Sequence, residues 1–224
     1  MKSTTLQPYW RSISIIITGF ILGILACIPV MLLFGIEKKD FSRPLPSLLG
    51  YTVVHLTMLF YAQASLKAKA TIIKTKAYSF INLFAIFFVF FIVMDVLTYW
   101  IKLPSFSSPI FESEFKQSPY IFFIDVVFAA PILEELIFRG VMLSYLLKHK
   151  SEWAAILFSA LLFGLVHVSP DQVVWSFLGG IFLGYAYLKS QNILVPILFH
   201  SLNNFLYYIY LCNDISSWLD LIKD

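Results

Sequence analysis

The sequence predicts an all-α protein, a polytopic transmembrane bundle of about seven to eight helices. Three observations predict it. Hydrophobic residues fill 59% of the 224 positions and charged ones 13%, against about 45–50% and about 25% in an ordinary soluble domain. Phe alone occupies 23 positions, more apolar surface than one soluble core of this size could cover. The apolar residues also fall in long runs, and about 20 helical residues cross the ~30 Å hydrocarbon core of a bilayer.

Seven candidate spans follow in order. Ser12 to Ile36, Leu48 to Leu66 and Ser79 to Ile101 are apolar and long enough. Pro119 to Leu147 is longer and carries charges. Ala154 to Val168 and Val173 to Leu188 are short, and Ile193 to Leu211 completes the set. Lys2 and Arg11 precede the first run as they would in a signal peptide, but the run continues to Ile36, so a retained helix is expected. The stretch Lys102 to Ser118 holds Pro104, Pro109 and several Ser residues and reads as a surface connection. No internal repeat stands out, so residues 1–224 are taken as a single integral-membrane domain, with a motif-bearing core at about 119–211.

Basic residues favour the cytoplasmic side. With the N-terminus inside, that side holds Lys2, Arg11, Lys67, Lys69, Lys74, Lys76, Lys148, Lys150 and Lys189, nine in all. Six lie outside: Lys38, Lys39, Arg43, Lys102, Lys116 and Lys223. The expected location is therefore a bacterial-type cell membrane, multi-pass, with a cytoplasmic N-terminus. A net charge of +3 without a basic stripe gives no nucleic-acid footprint. Cys27 and Cys212 form no CxxC or Cys/His cluster and read as small apolar side chains.

Ionisable groups inside membrane helices are costly and mark function. Three stretches carry them. In Pro131-Ile132-Leu133-Glu134-Glu135-Leu136-Ile137-Phe138-Arg139, Glu135 and Arg139 are four apart with the acid first, the favourable order for a pair within one helix. Glu134 points about 100° away and is left without that partner. Pro131 interrupts the backbone ladder one turn earlier. In Phe163-Gly164-Leu165-Val166-His167, a lone His on an apolar helix is by itself an ordinary packing residue. His200 and Asn204 are four apart and share a face, which alone fits interhelical hydrogen bonding. Taken together, one carboxylate, two imidazoles and a carboxamide on three apolar helices form a hydrolytic set. The carboxylate can act as general base on water, an imidazole can share the proton, and the amide and second imidazole can stabilise an oxyanion. Asp125, nine positions before Glu134, falls on the opposite face of an ideal helix. Asp95, His55 and His149 are not assigned to the site. No nucleophile elbow, HExxH motif or phosphate loop occurs.

These stretches resemble the CPBP family, the CAAX proteases and bacteriocin-processing enzymes. The family's EExxxR motif matches Glu134, Glu135 and Arg139; its FxxxH motif matches Phe163 and His167; its HxxxN motif matches His200 and Asn204. The resemblance covers roughly Ile121 to Leu211. It implies an intramembrane endopeptidase in which Glu134 activates water, His167 assists, His200 and Asn204 hold the oxyanion, and Glu135 with Arg139 supports the site. The expected substrate is a peptide or protein in or at the bilayer, and prenylated CAAX proteins are not the expected one. Glu plus two His also resembles a zinc set; the metal-free glutamate route is favoured and needs no cofactor. Two other readings stand beside it: a bacteriocin-immunity or membrane-binding protein on the same scaffold, and a small transporter, which lacks the expected inverted repeat. One tension remains. His167 lies 17 positions after Lys150 and His200 only 11 after Lys189, depths of about 25 Å and about 16 Å along straight helices.

Overall fold

The computed structural model describes residues 5–35, 44–67, 77–101, 109–167 and 170–221. Among them there are eight helical rods and no strand, as the apolar periodicity requires. The rods are α1 (Gln7–Phe34), α2 (Pro44–Leu66), α3 (Ala77–Ile101), α4 (Pro109–Gln117), α5 (119–149), α6 (Glu152–Leu165), α7 (Pro170–Ser190) and α8 (Leu194–Leu221).

Helix α4 corrects the reading of 102–118 as a bare connection. Pro109 opens it, a residue whose fixed φ suits a first turn, and Phe115 packs edge-on against Phe122 at 5.9 Å and Tyr208 at 5.4 Å. Residues 102–108 lie outside the described part. So do most of the cations behind the orientation argument: Lys2, Lys38, Lys39, Arg43, Lys69, Lys74, Lys76, Lys102 and Lys223.

Two helices among the described residues, Gln7–Phe34 and Leu45–Leu66, are long and apolar enough to cross a membrane by length and composition. Their outer faces, and that of α3, remain apolar and uncovered: Leu32 and Leu33 are 79% exposed, Phe60 and Ile81 65%. Such continuous apolar surface is what a lipid-facing helix presents. The first two helices meet at small residues four apart, as packing without a hydrophobic driving force favours. A Cβ on Gly23 would come 2.8 Å from Val54 Cα, and one on Gly19 3.3 Å from Met58 Cα. At one end of the bundle, Arg11 Nη2 donates to Ser65 O at 2.7 Å and lies over the Tyr145 ring, while Lys150 bonds Thr5 O and covers the Tyr9 ring. The start of α1 and the ends of α2 and α5 are therefore clamped together.

Helix α5 is the centre. Ile137, Phe138, Arg139, Val141, Met142, Leu143 and Leu146 are fully buried, the mark of a helix packed all round. Its winding is irregular, with π-helical turns at Asp125–Ala129 and Leu136–Leu143 around the α-helical Ala130–Glu135. Ala130 N–H bonds Asp125 O in the i→i+5 pattern. The next donor in that pattern, for Val126 O, would be Pro131, which has no N–H. Wide turns leave carbonyls short of partners, and side chains from neighbouring helices and from α5 itself supply them. Asn204 Nδ2 donates to Val126 O at 2.8 Å, Ser159 Oγ to Phe138 O at 2.9 Å and Ser144 Oγ to Arg139 O at 3.2 Å.

Candidate active site

The carboxylates of α5 organise the site. Glu135 and Arg139 pair within the helix, Arg139 Nη1 donating to Glu135 Oε1 at 2.7 Å, with both side chains at zero exposure. Arg139 Nη2 also donates to Gly180 O at 3.1 Å on α7. That approach needs a glycine, since a Cβ at 180 would sit 3.1 Å from Ala160 and 3.2 Å from the guanidinium. The guanidinium lies 4.4 Å from the Phe163 ring centroid, a cation–π contact from α6.

His200, on α8, bridges the two acids. Its Nδ1 lies 3.0 Å from Glu135 Oε1, and its Nε2 lies 3.9 Å from Glu134 Oε2. A carboxylate can only accept, so Nδ1 carries the proton. The longer separation is the spacing that one bridging water fills.

Glu134, Glu135, Arg139, His200 and Asn204 are all buried. His167 sits in the turn after α6, its Nδ1–H donating to Phe163 O at 2.8 Å, which leaves Nε2 as its free nitrogen. The depth tension is resolved at Phe163, whose ring is edge-to-face with both His167 (5.0 Å) and His200 (5.7 Å). The two imidazoles thus pack against one ring. His167, His200 and also His55 lie close enough for their charges to act on Glu134. Asn204 anchors to Val126 O with one amide hydrogen, and its Oδ1 accepts from Asn203 Nδ2 at 3.2 Å.

The structure adds residues that sequence reasoning passed over. Tyr51 donates its hydroxyl to Glu134 Oε1. His55 stacks on the Tyr51 ring with centroids 3.8 Å apart. The signal was an i,i+4 polar pair in an apolar helix, the same pattern as His200 and Asn204. Asp125 is also corrected: it lies within electrostatic range of Glu134 and Tyr51, not on the far face. Counting at 100° per residue fails there because the π turn spends more residues per revolution.

Three buried atoms of this centre, Asp125 Oδ1, Glu135 Oε2 and Arg139 Nε, have no hydrogen-bond partner among the described residues. Such atoms are satisfied by water or substrate. Among the described residues, no group of three or more His, Cys, Asp and Glu side chains is arranged to hold an ion.

The fold thus gathers a buried Glu-Glu-Arg cluster and imidazoles from two neighbouring helices within electrostatic range of one another. Residues 116–206 match the family described as type II CAAX prenyl endopeptidase Rce1-like. That match supports the CPBP family, the CAAX proteases and their relatives, a family of membrane-embedded hydrolases acting on peptides or proteins. No curated protein and no solved structure matches the chain.

Proposed function

We propose that the protein is an intramembrane endopeptidase that cleaves a peptide bond of a membrane-associated peptide or protein with water activated by Glu134. The observation that carries this reading is the buried 3.9 Å gap between Glu134 Oε2 and His200 Nε2. A water there can donate to Oε2 and keep a lone pair free for attack. As its oxygen bonds the scissile carbonyl carbon, one proton passes to Glu134, which later delivers it to the leaving amine. His167 Nε2, within electrostatic range of Glu134, assists that transfer. His200, when doubly protonated, donates Nε2–H to the oxyanion, and the Glu135 carboxylate at Nδ1 balances its charge. The second amide hydrogen of Asn204 provides the other donor.

Glu135 and Arg139 hold this arrangement: Glu135 orients the His200 ring, and Arg139 pairs with Glu135. The uncovered apolar faces of α1, α2 and α3 support a bilayer location, with the substrate reaching the site from the membrane. The mechanism uses no metal.

The test uses purified protein in liposomes with internally quenched, acyl-anchored peptides. Glu134→Gln and Glu134→Ala should leave the fold intact and lower cleavage by about 10²–10⁴-fold, the usual worth of a general base. Cleavage retained in both variants would refute the assignment.

A further inference from the structure

Helix α2 lies outside the segment that matches the family, yet it supplies the closest contact to the proposed base. Tyr51 donates its hydroxyl to Glu134 Oε1 across 83 positions of sequence. One oxygen of the carboxylate is thereby committed, and Oε2, the oxygen facing His200, is the one left to take a proton. The hydroxyl is not held by chance. The Tyr51 ring stacks on His55 at 3.8 Å and 24°. The Nδ1–H of His55 returns to Tyr51 O at 2.9 Å, so ring and backbone of the same helical turn form a closed unit. One turn earlier, Ser47 Oγ donates to Glu114 Oε1 at 2.9 Å, tying this part of α2 to α4.

We propose that Tyr51 is a positioning residue of the reaction: its hydroxyl holds Oε1 of Glu134 so that Oε2 alone receives the proton from the attacking water. The proposal rests on the reading of Glu134 as general base. It differs from a structural role in its kinetics. An interaction that orients the base acts on the transition state, so its loss lowers kcat and leaves KM unchanged.

Tyr51→Phe removes only the oxygen. In the liposome assay it should lower kcat roughly 10- to 100-fold, the worth of a hydrogen bond to a charged group, with KM within about twofold of wild type. Ser47→Ala, on the same helix but outside the centre, should cleave like the wild type. A second measurement covers the case in which Tyr51→Phe does not fold. With 3-fluorotyrosine at position 51, a stronger donor, the infrared carboxylate stretch should shift, and the shift should vanish in the Glu134→Gln background. An unchanged kcat, a raised KM at unchanged kcat, or an unmoved carboxylate band overturns the proposal. A wild-type protein that cleaves no peptide ends the protease reading and this proposal with it. Wild-type cleavage with full activity in Tyr51→Phe ends only the proposal.

Discussion

Replacing Arg139 with Met should destabilise the protein by about 3 kcal/mol. The guanidinium makes a 2.7 Å bond to Glu135, a 3.1 Å bond to Gly180 O and a 4.4 Å contact with the Phe163 ring. Hydrogen bonds to charged groups contribute about 1.5–3 kcal/mol each, and a desolvated cation–π contact about 2, but these do not add. The decisive effect is the charge left behind. Glu135 is at zero exposure, and stranding one member of a buried pair costs about 3–5 kcal/mol. The low end applies because His200 Nδ1 still donates to Glu135 at 3.0 Å. Reversible unfolding in mixed micelles measures the loss. The double variant Glu135→Leu with Arg139→Met should return to within about 1 kcal/mol of wild type, since apolar replacement of a buried pair is often neutral. It should not recover cleavage, because the His200 ring has lost its acceptor. Arg139→Met as stable as wild type, or a double variant no more stable than the single, would refute the argument.

Two further outcomes follow from other contacts. Asn204→Ala should cost about 1–3 kcal/mol in the same unfolding assay, the penalty for a buried carbonyl left unbonded, since Val126 O loses its 2.8 Å donor. Burial pushes the Glu114 carboxyl above its ordinary value, partly opposed by the Ser47 hydrogen bond. A raised folded-state pKa means the proton is bound more tightly in the folded protein, so this contribution to stability is present below the usual carboxylate range and is lost as pH rises through the folded value. A carbon-13 titration of Glu114 should show the elevated midpoint, and Ser47→Ala should move it higher still.

The helical architecture was readable because long apolar runs admit few alternatives. All seven expected spans coincide with helices, differing by a few residues at their ends except at the last, whose helix runs on from Leu211 to Leu221. The short helix α4 was missed because the prolines and serines around it imitate a connection. In the centre, the Glu135–Arg139 pair and the common face of His200 and Asn204 follow from helical spacing alone. What spacing could not supply was anything depending on departures from it. Asp125 was placed by ideal winding, and a π turn moved it. Tyr51 and His55 are remote in sequence, and only the packing of α2 against α5 brings them to Glu134. Gly180 accepts through its backbone, which no side-chain pattern advertises.

Pro131 has an implication that runs against the usual rule for proline in helices. Substituting Ala there would return to α5 the N–H that its i→i+5 pattern lacks. The regained donor would compete for the Val126 oxygen that now has Asn204 as its partner. Tidying the helix would thus unseat a carboxamide on a different one, so a gain in local order would appear as a loss of alignment between α5 and α8.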